Sequence, residues 1–180
     1  MLKIVEEFVV SLLGISDKSV PTRWHLQKEF FIFTKMNPKA QELFHFVKHY
    51  EGPYSQVLQD SVRDPMYYEN AFEIKANGEI YLTEEGKQAF HAIKTKYSKD
   101  EKFQQFLQSL KLIRDIYEKL TKQELLFLMY ITYPDFIEFS SAYDRLVKDN
   151  DKRKQLAGNL LKKGLITADR YQELIEFGTE

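Results

Sequence analysis

The sequence predicts a mainly α-helical chain with one β-hairpin. Three observations predict it. Apolar residues recur every three to four positions along most of the chain. The period changes to two in one window, around Asn77-Gly78. Capping residues and breakers fall between the periodic stretches.

Taken in order, Leu2, Ile4, Val5, Phe8, Val9, Leu12 and Leu13 form a first helical stripe, ended by Gly14. Pro21 is pre-set for a first helical turn, and Trp24, Leu26, Phe30, Phe31 and Phe33 carry a second helix. Asn37-Pro38 reads as a cap followed by proline at the first helical position. It opens a third helix through Leu43, Phe44, Phe46 and Val47 that stops near Tyr50. Beyond Gly52-Pro53, Ser55 caps a short helix from Gln56 to Arg63, which Pro65 closes. Phe72-Glu73-Ile74-Lys75 and Glu79-Ile80-Tyr81-Leu82 then alternate apolar and polar around Asn77-Gly78, a pair suited to a type I′ turn. Thr83 caps the next helix, whose first residues Glu84 and Glu85 favourably meet the positive end of its dipole.

From Ser98 onward the pattern is helical throughout. Phe103, Phe106, Leu107, Leu110, Ile113, Ile116, Tyr117 and Leu120 make a long stripe. Thr121-Lys122-Gln123-Glu124 matches a capping box. Helices are expected over residues 125–131, 142–147 and 153–163, the last capped by Gly164, and over 167–177. Helices, one hairpin and a further helix are in the order of a winged helix, with the hairpin as wing. The expected organisation is a winged-helix-like domain over residues 1–97 and a helical region over 98–180, which the long helix after Asp100 can join into one unit.

With 43% hydrophobic residues, the 180-residue chain can bury a substantial core. Lys and Arg number 26 against 27 Asp and Glu, interleaved along the chain, so no global electrostatic footprint for nucleic acid exists. Cysteine is absent, which excludes disulfides, thiolate metal sites and cysteine nucleophiles. Glu6 and Glu7 interrupt the apolar run that a signal peptide needs, and no apolar stretch approaches a membrane span, so a cytoplasmic location is expected.

Glu42, His45 and His49 fall on one face of the expected third helix, a spacing able to gather a metal. The glutamate between the histidines that zinc hydrolases use is missing, and the face reads as a surface edge. His25 and His91 read as structural or exposed. No nucleophile elbow is present, and the 7 glycines form no phosphate-cradling loop. The expectation is a non-enzymatic chain with no cofactor. If the wing served DNA, Gln56, Gln59 and Arg63 would read bases while Lys75 and Asn77 touched phosphate or the minor groove. Asp60 and Asp64 share nearly that surface and the wing offers one lysine, too few cations for phosphate neutralisation. Lys152, Arg153, Lys154, Lys162 and Lys163 flank a second helix-turn-helix pattern whose last helix is acidic; they read as a solvated face.

Leu26-Gln27-Lys28, then Gly52-Pro53-Tyr54-Ser55, then Ile80-Tyr81-Leu82-Thr83-Glu84-Glu85-Gly86 together resemble the YwgA-like and SocA-like (Panacea antitoxin) group over residues 2–97. Glu124-Leu125-Leu126, Tyr133-Pro134 and Lys162-Lys163-Gly164-Leu165-Ile166 are similar to the tails of small prokaryotic proteins of this kind. The resemblance implies a winged-helix-like module that acts by binding a protein, and it carries no catalytic residues over. The leading expectation is therefore an interaction module of a prokaryotic regulatory, antitoxin or defence system. Its contact candidates are Trp24, Pro53, Tyr54, Tyr67 and Tyr68, because tyrosine and tryptophan suit surfaces that are both wet and adhesive. A DNA-binding regulator is the alternative, and a homodimer is compatible with either.

Overall fold

The computed structural model describes residues 2–138 and 140–176. They are mainly helical with one two-stranded antiparallel sheet. The chain divides into two compact units, Met1–Val47 with Tyr54–Glu118, and Lys48–Pro53 with Lys119–Glu180. The division thus falls after Glu118 rather than at the 97/98 boundary read from the sequence. The long helix after Asp100 belongs to the first unit because Phe106, Leu107, Leu110 and Ile113 face its core.

The first unit contains α1 (Leu2–Gly14), α2 (Arg23–Met36), α3 (Pro38–Phe44), α4 (Gln56–Arg63), β1 (Phe72–Ile74), β2 (Ile80–Leu82), α5 (Glu84–Lys96) and α6 (Glu101–Tyr117). Val5, Val9 and Leu12 of α1, Leu26, Phe30 and Phe33 of α2, and Leu110 and Ile113 of α6 are buried together with Phe44, Leu58 and Ile80. Phe30 stacks on Phe44 with ring centroids 4.9 Å apart, and Phe8 meets Phe106 at 4.7 Å. Three caps anticipated from sequence close in hydrogen bonds: Ser55 Oγ accepts from Leu58 N, Thr83 from Gly86 N, and Thr121 from Glu124 N; Asp100 adds a fourth, accepting from Lys102 and Phe103 N. The first of these is fastened further. Buried Gln27 donates to Ser55 O at 2.9 Å and accepts from Ser55 N at 2.8 Å, an amide pair tying α2 to the start of α4.

Three local expectations are corrected. Pro21 is an exposed corner and does not start α2: Val20 pairs antiparallel with Ile80, and Thr22 caps the helix by accepting from His25 N. The third helix stops at Phe44 because His45 turns left-handed at φ 46° and Val47 pairs with Tyr54, so Glu42, His45 and His49 do not share a helix face. The hairpin turn is not type I′. Gly78 N donates to Lys75 O and Lys75 N to Glu79 O, both 2.9 Å, and only Gly78, at φ 90°, is left-handed; this is a three-residue loop closed by glycine.

A buried ion pair ties α2 and α6. Arg114, fully inaccessible, donates from Nη1 to both oxygens of Glu29 at 3.1 and 3.2 Å, and from Nη2 to the carbonyls of Lys18 and Ser19 at 2.8 and 3.1 Å. Burial pushes the Glu29 carboxyl up to about 7, against the opposing pull of Arg114. The 18–19 segment thereby fixed leads straight into Val20 and its bridge to the hairpin.

Gly86 in the first turn of α5 has no room for a side chain. A Cβ there would lie 1.8 Å from Ala71 O and 2.7 Å from Leu82 Cδ2. Gly86→Ala is therefore expected to cost about 3 kcal/mol, the high end for overpacking. Gly158→Ala, whose Cβ meets only Tyr171 at 4.0 Å, should instead gain roughly 0.5–1 kcal/mol in helix propensity. Paired chemical denaturation curves check both signs.

The second unit contains residues 48–53, α7 (Lys122–Thr132), a 3-10 turn (Pro134–Phe136), a π-helical turn (Asp144–Lys148), α8 (Asn150–Lys162) and α9 (Ala168–Glu176). The helix expected over 142–147 is that π turn. The one expected to start at Arg153 begins a turn earlier, at Asn150, because Asp149 caps it by accepting from Lys152 N. Residue 177, the end of the last expected helix, lies outside the described residues. Gly164, at φ 68°, closes α8: its N–H reaches Leu161 O and that of Leu165 reaches Leu160 O, a Schellman cap. The capping box at Thr121 is complete. Burial raises the pKa of its Glu124, but the bonds from Lys163 at 2.6 Å and from Thr121 outweigh this and hold the carboxyl below the usual range. The basic run is only in part a solvated face. Arg153 is buried and donates to Leu174 O and Val147 O, while Lys163 is the partner of Glu124. No helix among the described residues is long and apolar enough to cross a membrane.

Candidate functional site

The site is built by the segment between α4 and β1. The C-cap Asp64 donates to Asp60 O, and Pro65 has no N–H with which to extend the helix. The next three backbone N–H groups therefore need another acceptor. All three find it in the carboxylate of Glu6, itself 1% exposed on α1: Met66 N donates to Oε1 at 3.0 Å, and Tyr67 N and Tyr68 N to Oε2 at 2.8 and 2.9 Å. Ionised acceptors make such bonds stronger than neutral ones.

The rest of the loop is pinned as well. Tyr68 Oη donates to Glu7 Oε1 at 3.1 Å, and burial together with the Glu7 charge pushes the phenol up to about 12, so it stays a donor. Ala71 N closes a turn onto Tyr68 O at 2.9 Å, and Thr83 Oγ1, at the start of α5, donates to Asn70 O.

This fixed backbone leaves two large apolar side chains in solvent, Met66 at 64% and Tyr67 at 55% exposure. Beside them lies a groove of about 320 Å³ lined by Met66, Tyr68, Ala71 and Ala89, with Glu69 and Glu85 at its polar positions. From residue 64 to 86 the sequence carries Asp64, Glu69, Glu73, Glu79, Glu84 and Glu85 against one cation, Lys75. That lysine is bound to Glu79 at 3.1 Å, and its bond and charge hold the Glu79 carboxyl below its usual range.

The DNA-contact candidates are largely engaged within their own elements. Arg63 pairs with Asp60 at 2.9 Å and Gln56 donates to the same carboxylate at 2.9 Å. Asn77 Oδ1 accepts from Glu79 N, and Lys75 also lies 4.9 Å from the centroid of the Tyr81 ring. Gln59 is half-buried on α4.

Of the protein-contact candidates, Tyr67 and Tyr68 come together on the loop. Pro53 is buried and offers no surface, because the 48–53 segment packs into the second unit through Lys122–Glu51 and Ser141 N to Tyr50 O. Trp24 is half-buried at the first turn of α2, edge-on to His25 and 4.9 Å from Lys28 Nζ. Tyr54 donates to Gln56 Oε1 next to the Val47 bridge.

Sequence reasoning missed Met66 and, above all, Glu6. The available signal was position: Glu6 sits on the stripe of Leu2, Val5, Val9 and Leu13, where a carboxylate is anomalous unless it has buried donors to meet. In comparisons with known proteins, no family model matches the chain, and no curated protein and no solved structure matches it significantly.

Proposed function

We propose that the chain is a non-enzymatic protein-interaction module of winged-helix-like build that takes its partner at the Met66–Tyr67 edge. One observation carries the reading: two large apolar side chains stay in solvent while their own amides are locked onto a buried carboxylate. A contact edge ordered before binding avoids much of the roughly 0.5–1.5 kcal/mol per side chain that ordering costs at an interface. Methionine and tyrosine are residue types enriched in such contacts.

The DNA alternative is disfavoured by charge. A surface whose cations are already paired, beside six carboxylates within residues 64–86, repels the phosphates that supply most duplex affinity. A regulatory, antitoxin or defence role in a prokaryote is what the family resemblance contributes to this reading.

Photo-crosslinking tests it. With p-benzoylphenylalanine in place of Tyr67, expressed in source cells, we expect an adduct to one discrete polypeptide. The adduct should be absent when the probe replaces exposed Gln105 on α6, and lost on Met66→Asp. No adduct from position 67, or an adduct to DNA, contradicts the proposal.

A further inference from the structure

We infer that the partner segment seated on this loop is cationic, with lysine or arginine flanking an apolar anchor. The inference rests on the interface reading above and adds the chemistry of the partner.

The groove beside Met66 and Tyr67 is apolar over Met66, Tyr68, Ala71 and Ala89, and large enough for one side chain. Its charged lining residues are Glu69 and Glu85, both exposed; no lysine or arginine among the described residues lines it. The carboxylates around it extend this sign. Asp64 lies just before the loop, Glu73 accepts from Tyr81 Oη on the hairpin, and Glu84 precedes Glu85 at the start of α5. The cations nearest it in sequence are each held by a carboxylate, Arg63 by Asp60, Lys75 by Glu79 and Lys87 by Glu84, while Lys94 and Lys96 lie at the far end of α5, over the rings of Phe90 and Tyr97.

The net field at the groove is therefore negative, and an acidic or neutral segment gains nothing from it. A like-charged partner is repelled, whereas a cationic one is steered in and aligned. The anchor contributes burial of Met66 and Tyr67. The flanking cations select which anchor-bearing segment arrives, because hydrophobic contact alone discriminates poorly between similar apolar side chains.

Selection of displayed random peptides on the full-length chain tests the inference. Peptides retained by the wild type but not by the Met66→Ser/Tyr67→Ser variant are the loop's own. Both positions are exposed, and an unchanged melting curve confirms that the variant is folded. The expected pool carries an excess of Lys and Arg beside an aromatic or aliphatic residue. Binding of its members should weaken by about tenfold on Glu69→Lys with Glu85→Gln, and comparably between low and high salt. A loop-dependent pool that is acidic or neutral, with salt-independent affinity, overturns the cationic partner while leaving the interface reading standing. A pool with no loop-dependent member overturns both.

Discussion

Replacing Arg114 by alanine is expected to lower the free energy of unfolding by about 3–5 kcal/mol, a large share of the ~5–15 kcal/mol typical of a domain. The guanidinium meets Glu29 and two backbone carbonyls in a site with no access to water, so its removal strands three acceptors at once. The loss should depend on pH in a defined direction. Burial holds Glu29 near 7, so the stability this carboxyl contributes is fully present below its ordinary 4.5 and is lost as pH rises through about 7. Below 7 the group is protonated with or without Arg114. Above 7 only the wild type can leave it ionised, and the deficit of Arg114→Ala should widen by about 1.4 kcal/mol per pH unit. Glu29→Gln, with no charge to bury, should gain on the wild type between pH 4.5 and 7 and then run parallel to it. Urea denaturation across pH measures both; a deficit of Arg114→Ala that narrows on the alkaline side contradicts the account.

The second large effect is expected from Glu6→Gln. The substitution keeps the shape of the side chain but removes its charge and one acceptor oxygen, and turns an N–H₂ toward backbone N–H groups. Hydrogen bonds to charged acceptors contribute about 1.5–3 kcal/mol each, yet the loop can open to water and recover part of that, so a net loss of about 2–3 kcal/mol is expected. Binding should suffer as well as stability. Met66 and Tyr67 would still be present, but their backbone would have to be ordered in the encounter, and affinity for the crosslinked partner should fall by about tenfold or more. Met66→Ala tests the anchor alone and should leave the melting curve unchanged.

What was legible in the sequence was local. The caps at Ser55, Thr83 and Thr121, the Gly164 ending and the place of the hairpin all depend on residues within a few positions of one another. What was not legible depends on distant partners. The turn at Asn77-Gly78 adopts another geometry where Ile80 pairs with Val20 on one side and Ile74 on the other. Helix three ends early because Val47 is drawn to Tyr54 across the 48–53 excursion.

The same rule divides the candidate site. Tyr67 and Tyr68 were legible as types, since their chemistry is visible in one letter. The role of Glu6 was not, because its three partners lie 60 to 62 positions away. Arg114 was masked similarly: 85 positions from Glu29, it looked like an ordinary charge beside an apolar stripe. In both cases the clue was a charge on a buried face, which a helical wheel displays but does not pair.

Amide hydrogen exchange in the free protein tests the central claim, that the contact edge is held in place before any partner arrives. In the wild type the amides of Met66, Tyr67 and Tyr68 should exchange far more slowly than their intrinsic rates and become fast in Glu6→Gln, while the core of α1 stays protected. Three amides already exchanging at intrinsic rates in the unbound wild type would contradict it.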